Sequence, residues 1–382
     1  MKTILIFNDY FYPGFKAGGP VQSLINLVKS LQGKYNLAVI TNARDLGDTL
    51  NYDGVKENAW NSILLPDSDT KLSVWYAGNN GMGFSMLYKI MKDLNPDYIY
   101  LNGLYSLKYF LFPAIIWKIN SDKIKLIVCP RGMLQKGALQ IKFTKKKWYL
   151  RILKFSKLLN GVIWQATNQE EKEDIIKHFS EYKNINIAFN IPKPPYKLFT
   201  NSNKGNGELK LVYLSLITEK KNLHLLLDII EKCNNSISLS IYGPIKDEKY
   251  WETKCKPLIE RLKGKAIYYG DVEPIKVQGV IAQFDAAILL TKGENFGHAL
   301  YECLSVGRPL ITSNYTPWND LENLKAGWNV DINNIEEIVG KVNEISCMNN
   351  IEFNSFCKGA HNVAVDYFYK QNFETSYNEL FS

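Results

Sequence analysis

Apolar residues along the chain fall into two kinds of string. Short runs rich in β-branched and aromatic residues, KTILIFN, NLAVIT, KLSVWY, DYIYLN, KLIVC and VIWQAT, read as strands buried on both faces. Stretches with helical spacing lie between several of them, including Val21 to Leu31 and Gly83 to Leu94. This alternation predicts βαβ units and a mainly parallel sheet. Residues 191–208, IPKPPYKLFTNSNKGNGE, interrupt it with three prolines, two glycines and three asparagines, and predict a linker that packs no core. The alternation restarts with LKLVYLS, a helix Leu223 to Cys233, ISLSIYG, a helix Tyr250 to Leu262, AIYYG, DAAILL, a helix, PLITS and a final set of helices. Two α/β domains in tandem are expected, over 1–192 and 208–365, with a helix in 366–382 packing back on the first. Ligands of open α/β sheets bind beyond the carboxyl ends of the strands, so a cleft between the two domains is the expected active site.

Composition excludes several classes. The chain has 382 residues with 46% apolar and 22% charged, as in an ordinary globular protein. The most apolar stretch, Tyr109 to Ile119, is broken by Pro113 and Lys118 and falls short of the roughly 18 residues of a membrane span. MKTILIFNDY reads as a first strand rather than a leader. The six cysteines are scattered, with no C-x-x-C pair, which predicts buried thiols, a cytoplasmic protein and no metal site. The first strand is not followed by the G-x-G-x-x-G dinucleotide fingerprint, and Asp67-Ser68-Asp69 after Pro66 reads as a turn.

Candidate chemistry concentrates in DAAILLTKGENFGHALYECLSVGRPLITS, residues 285–313. A strand ends near Thr291, a glycine-containing loop follows, and a helix starts near Gly297. The free N–H groups of Phe296, Gly297 and His298 suit an anion or a sugar hydroxyl. Glu302 sits among apolar neighbours, where a carboxylate needs a partner. The vicinal diol of a ribose could supply it, and so could a Lys or Arg of a neighbouring helix.

Glu294-Asn295-Phe296-Gly297 followed by Glu302 resembles the E-x7-E signature of retaining glycosyltransferases of family 4, which have the GT-B fold of two Rossmann-like domains facing across a cleft. Further pieces occur in that family's order: Gly18-Gly19-Pro20, Asn102-Gly103-Leu104-Tyr105-Ser106, Pro130-Arg131-Gly132-Met133-Leu134, Glu219-Lys220-Lys221-Asn222, and the P-W…G-W pattern within Asn314 to Trp328. They are similar to motifs of capsule and exopolysaccharide members. The resemblance implies transfer of a sugar from a UDP or GDP sugar to a glycan acceptor with retained configuration, without metal or cofactor. It implies Lys221 as a cation on the diphosphate, Glu302 on the ribose, and Glu294 with the Asn295–Gly297 backbone on the donor sugar. Gly18 and Gly19 would bring backbone amides to the ligand, and Arg131 and Asn102 would serve on the acceptor side. Glu294, Lys221 and Arg131 are the catalytic candidates. Ser215-Leu216 stands where the family has Gly-Arg, and Asn102 where it has His. Arg131, Lys220 or Arg308 would have to replace the missing arginine, and a non-catalytic nucleotide- or glycan-binding homologue is the alternative.

Charge adds one feature. From Lys123 to Gln169 there are eleven basic residues and no acidic one; subtracting eleven from the net +8 leaves the rest of the chain at −3. Within it, Trp148, Ile152, Phe155 and Leu159 form an apolar helical stripe beside Lys147, Arg151 and Lys154. Leu139 to Leu159 therefore suits either a helix packed on its own sheet or one lying on an anionic membrane, which would fit a polyprenyl-diphosphate-linked acceptor met at the inner face of the plasma membrane. No nucleic-acid-binding motif accompanies the segment, so nucleic acid is not an expected partner.

Overall fold

The apolar strings become parallel strands because only a strand covered on both faces can bury every residue. All five residues of Tyr98–Asn102 and all four of Ala286–Leu289 are buried. The computed structural model describes residues 1–78, 82–120, 123–140, 143–179, 184–197, 199 and 201–382. Ile141 and Lys142 of the basic segment and Leu198 and Thr200 of the expected linker lie outside the described residues. The chain divides into two units: residues Met1–Ile191 with Asn372–Ser382, and residues Pro192–Gln371.

Among the described residues, unit 1 has an eight-stranded sheet in the order β3-β4-β2-β1-β5-β6-β7-β8. The strands are β1 (Thr3–Phe7), β2 (Asn36–Asn42), β3 (Trp60–Leu64), β4 (Lys71–Ala77), β5 (Tyr98–Asn102), β6 (Lys125–Cys129), β7 (Ile163–Ala166) and β8 (Ile185–Ile187). All pair in parallel except β3 with β4. Strand β1 is central, with Ile6 opposite Val39 on one side and Tyr100 on the other. Its helices are α1 (Gly19–Leu31), α2 (Phe84–Leu94), α3 (Phe112–Ile119), α4 (Lys136–Gln140), α5 (Phe143–Phe155) and α6 (Gln169–His178).

Unit 2 has a six-stranded parallel sheet, order β11-β10-β9-β12-β13-β14, among the described residues. These are β9 (Leu209–Leu214), β10 (Ile237–Tyr242), β11 (Ala266–Tyr268), β12 (Ala286–Leu289), β13 (Leu310–Ser313) and β14 (Gly327–Val330). The helices of unit 2 are α7 (Leu223–Lys232), α8 (Glu248–Tyr250), α9 (Lys256–Arg261), α10 (Val277–Ile281), α11 (His298–Ser305), α12 (Ile335–Cys347) and α13 (Asn350–Lys370). Helix α14 (Phe373–Leu380) belongs to unit 1. There Gln165 donates to the Tyr377 hydroxyl, and the Tyr98 hydroxyl donates to the carbonyls of Phe381 and Ser382.

Three expectations are corrected. The helix expected over Tyr250 to Leu262 has a π-helical turn, Trp251–Cys255, before α9; Pro257 lacks the N–H that a regular helix would need there. The expected linker does pack: Ser202 donates to Asp285 at 2.5 Å, and buried Lys204 donates to the Ser346 carbonyl at 2.7 Å. Unit 2 therefore starts at Pro192 rather than 208, because its polar side chains bond with the core's edge instead of water. Residues 366–370 remain in α13, so the return to unit 1 starts at Asn372.

Candidate active site

In unit 2 the site forms where β9 and β12 end. After β9 the chain turns through a short 3-10 segment, Glu219–Lys221, and Asn222 takes a left-handed φ of 60° that starts α7. After β12, Thr291 turns its hydroxyl toward the Lys220 and Gly293 carbonyls, and the Lys292 N–H donates to Lys220 O at 2.9 Å. These bonds hold the E-K-K-N and K-G-E-N-F-G segments together. They bring Lys221 against Glu294 as an ion pair with side chains 16% and 12% exposed.

The loop before α11 is set by an aromatic cluster. Phe296 is buried, with its ring 5.4 Å from Trp318, 5.8 Å from Tyr301 and 5.3 Å from Tyr367. Trp318 Nε1 donates to the Phe296 carbonyl at 2.7 Å. Each such ring pair adds about 0.5–1.5 kcal/mol to a rigid loop. The Phe296 side chain thus faces the core, and only its backbone is available to a ligand. Gly297 caps α11 at φ 75°, a conformation that any β-carbon would strain.

Glu302 lies on α11 and is 9% exposed. Its partner is Lys193, at 3.1 Å, so the protein itself supplies the cation, from the segment expected to be a linker. Lys193 also donates to the Pro274 carbonyl at 3.1 Å. Burial pushes the Glu302 carboxyl above its usual range, and Lys193 opposes that shift.

The substitutes expected for the missing arginine fare differently. Arg308 is 2% exposed and donates to the carbonyls of Ala282 and Gly307, so it is a core group. Lys220 stays beside the loop; a β-carbon on Gly293 would stand 3.5 Å from its Cε. Sequence reasoning missed Lys246. Residues Ile217 and Ile245 form a parallel bridge, and the Lys246 N–H donates to Ile217 O, next to Leu216. Lys246 is exposed at the surface, yet partial desolvation of its ammonium, and then the nearby charge of Lys221, lowers it from the ordinary lysine range. Among the described residues nothing hydrogen-bonds or ion-pairs with its ammonium.

In unit 1, Gly18 has φ 75° and caps α1, with Gly19 as its first residue. Asn102 and Arg131 meet, Arg131 Nε donating to Asn102 Oδ1 at 2.6 Å. The guanidinium also donates to Ser23 Oγ at 3.1 Å, to Asn190 Oδ1, and to the Tyr100 hydroxyl at 2.8 Å. Arg131 was expected to offer a cation to the acceptor side. In unit 1 its guanidinium satisfies its donors on four neighbours. Arg131 also sits at φ 53°, a costly conformation for a non-glycine residue that this network holds in place. The Asn102 amide also donates to Asn8 Oδ1. The missed residue here is Asp9, just past β1: Ser106 donates to it at 2.8 Å, and burial raises its carboxyl above the ordinary range. A lone aspartate after a first strand gives no sequence signal.

Helix α5 has a buried and an exposed side. Trp148, Ile152 and Phe155 face solvent, while Leu150 and Leu153 pack inward. The helix itself packs on the unit 1 core through Leu150 and Leu153, as one alternative expected, while Trp148, Ile152 and Phe155 stay outside that packing; Leu159, fully buried beyond the helix end, does not belong to their row. Among the described residues no three His, Cys, Asp or Glu side chains are grouped to hold a metal, and no helix is long and apolar enough to cross a membrane.

Comparison with known proteins shows what the chain resembles. Residues 197–353 match the family model described as glycosyl transferases group 1. The chain's fold is GT-B, two Rossmann-like domains with parallel sheets. HepE of Anabaena, solved with UDP and glucose, is 15% identical with a TM-score of 0.71, covering 100% of this chain and 98% of its own. Sucrose-phosphate synthase of Thermosynechococcus elongatus is 13% identical, TM-score 0.73, covering 100% and 99%. TarM of S. aureus, solved with fondaparinux, α-GlcNAc-glycerol and UDP, is 13% identical, TM-score 0.71, covering 100% of both chains. No curated protein matches the chain.

Proposed function

We propose that the protein is a retaining, metal-independent hexosyltransferase that moves a sugar from a UDP or GDP sugar to a glycan acceptor. The observation that carries this reading is the lysine pair at the carboxyl end of the unit 2 sheet. Lys221 is paired with Glu294, and Lys246 stands near it without a partner. A departing diphosphate gains negative charge, and two ammonium groups beside the start of α7 would neutralise it. Lys246 then takes the role left open at Leu216. Glu302 would accept the two ribose hydroxyls, and Glu294 with the Asn295–Gly297 backbone would hold the donor sugar near the reacting carbon. Gly18 and Gly19 would admit backbone amides close to ligand, and Asp9 would face the acceptor. The UDP complexes of HepE and TarM support a nucleotide-sugar donor. On this reading the enzyme works in the cytoplasm on surface polysaccharide, capsule or exopolysaccharide, with an acceptor carried on a polyprenyl diphosphate.

The test is a panel of UDP and GDP sugars read by thermal shift and nucleotide release. One donor should stabilise the protein and be turned over, and Glu302→Ala should weaken its binding about tenfold or more, as expected for two lost hydroxyl bonds to a carboxylate. No stabilisation by any donor at millimolar concentration refutes the transferase reading. Stabilisation without nucleotide release in the presence of acceptor glycans favours the non-catalytic homologue.

A further inference from the structure

We propose that the outer face of α5 is a docking surface for an anionic lipid bilayer. This inference is independent of the donor chemistry. The helix has an inner and an outer side. On the inner side Leu150 and Leu153 are buried, Tyr149 donates to the Leu104 carbonyl at 2.6 Å, and Lys146 donates to the Ala138 carbonyl. With that side anchored, the outer side carries Phe143 (55% exposed), Trp148 (58%), Ile152 (65%) and Phe155 (81%). Trp148, Ile152 and Phe155 recur at i, i+4 and i+7, one continuous row, and with Arg151 they line a shallow groove.

A cationic row lies one residue before each: Lys147, Arg151 and Lys154. The Arg151 guanidinium stands 5.3 Å from the Trp148 ring centre, and Lys147 stands 5.6 Å from that of Phe143. The sequence from Lys123 to Gln169 holds no acidic residue. A soluble helix normally turns its apolar row inward; here it points out, framed by positive charge. The charge complement of this face is an anionic layer with an apolar interior. Lipid headgroups would meet the cations while the rings and Ile152 enter the acyl boundary. Nucleic acid offers phosphates to the cations and nothing to Ile152. A second copy of this face would set like charges against each other across a two-fold axis.

The experiment is sedimentation of the full chain with vesicles of phosphatidylcholine alone or mixed with phosphatidylglycerol. Binding should require phosphatidylglycerol and should fall steeply between about 0.05 and 0.5 M salt. Lys147→Glu with Arg151→Glu should weaken it by about fivefold or more per charge. The variant Trp148→Ser/Ile152→Ser/Phe155→Ser should weaken it on the order of tenfold or more, with its melting temperature and its donor response unchanged because the three side chains support no core. Should that variant misfold, brominated lipid decides with the native chain: quenching of tryptophan fluorescence by phosphatidylglycerol vesicles supports insertion, and its absence overturns it. The proposal also fails if neutral vesicles bind equally, if neither kind binds, or if both variants bind undiminished. Tighter binding to a single-stranded oligonucleotide than to the vesicles, or a dimer abolished by the triple substitution while vesicles stay unbound, overturns it as well.

Discussion

Lys193→Ala removes the cation that neutralises Glu302 and leaves a carboxylate on α11 with little access to water. The pair is 3.1 Å apart, with side chains 24% and 12% exposed. Breaking a fully buried pair from one side costs about 3–5 kcal/mol, and the partial exposure here reduces that to about 2 kcal/mol. The carboxyl can escape part of the loss by taking up a proton. Burial already lifts its folded-state pKa above the ordinary 4.5, and losing Lys193 lifts it further. The folded chain then binds the proton more tightly than the unfolded chain. Stability therefore falls as pH rises from about 4.5 through the raised folded-state value, and levels off above it. Urea unfolding of the full chain, followed by tryptophan fluorescence, should show a loss of about 2 kcal/mol near pH 8 and less than half of it near pH 5. Adding Glu302→Gln should restore about 1–2 kcal/mol near pH 8, since an uncharged amide needs no cation. A loss that is the same at both pH values, or that Glu302→Gln does not relieve, would refute the reasoning.

Lys246→Met should weaken donor binding about tenfold by calorimetry without lowering the melting temperature, and Lys246→Arg should restore it; a native affinity in the methionine variant removes this residue from the site. Asp174 on α6 is raised to about 6 by burial first and then by Glu171 and its other acidic neighbours. Its charged form is disfavoured in the fold, so the native protein loses stability between about pH 4 and 6. Asp174→Asn should avoid that loss and be more stable near pH 7, by about 1 kcal/mol after allowing for partial exposure, with no difference near pH 4. Equal melting temperatures near pH 7 would count against it.

Strands buried on both faces were legible because their strings are apolar at nearly every position, as in β1, β5 and β12. Strand β3 escaped notice because it alternates, WNSIL with every second residue exposed, at an antiparallel sheet edge. Strand β8 is three residues of intermediate burial. In the site, Lys221 and Glu294 were visible as motifs, and their contact follows from two adjacent strands ending side by side. Lys246 and Lys193 were not visible. One depends on a bridge between two loops, the other on a proline-rich segment whose polar groups find partners on unit 2. Arg131 was visible as a motif but not in its surroundings, because sequence does not reveal that Ser23, Tyr100, Asn102 and Asn190 converge on one guanidinium. The α5 stripe was legible as a stripe; which way it faced depended on Leu150 and Leu153 taking the inner side.

Helix α14 has a consequence for how the protein is made. Unit 1 starts with β1 and is completed by residues 372–382, with all of unit 2 between them in the chain. During synthesis the eight-stranded sheet would exist for the time needed to add 180 residues, at roughly 5–20 residues per second, while Tyr98, Gln165 and Lys125 still lacked the partners that Tyr377, Phe381 and Ser382 later supply. Unit 2, contiguous from Pro192 to Gln371, has no such wait. The half translated first is thus the half finished last, and damage to the final helix should show up as a folding defect of the first sheet.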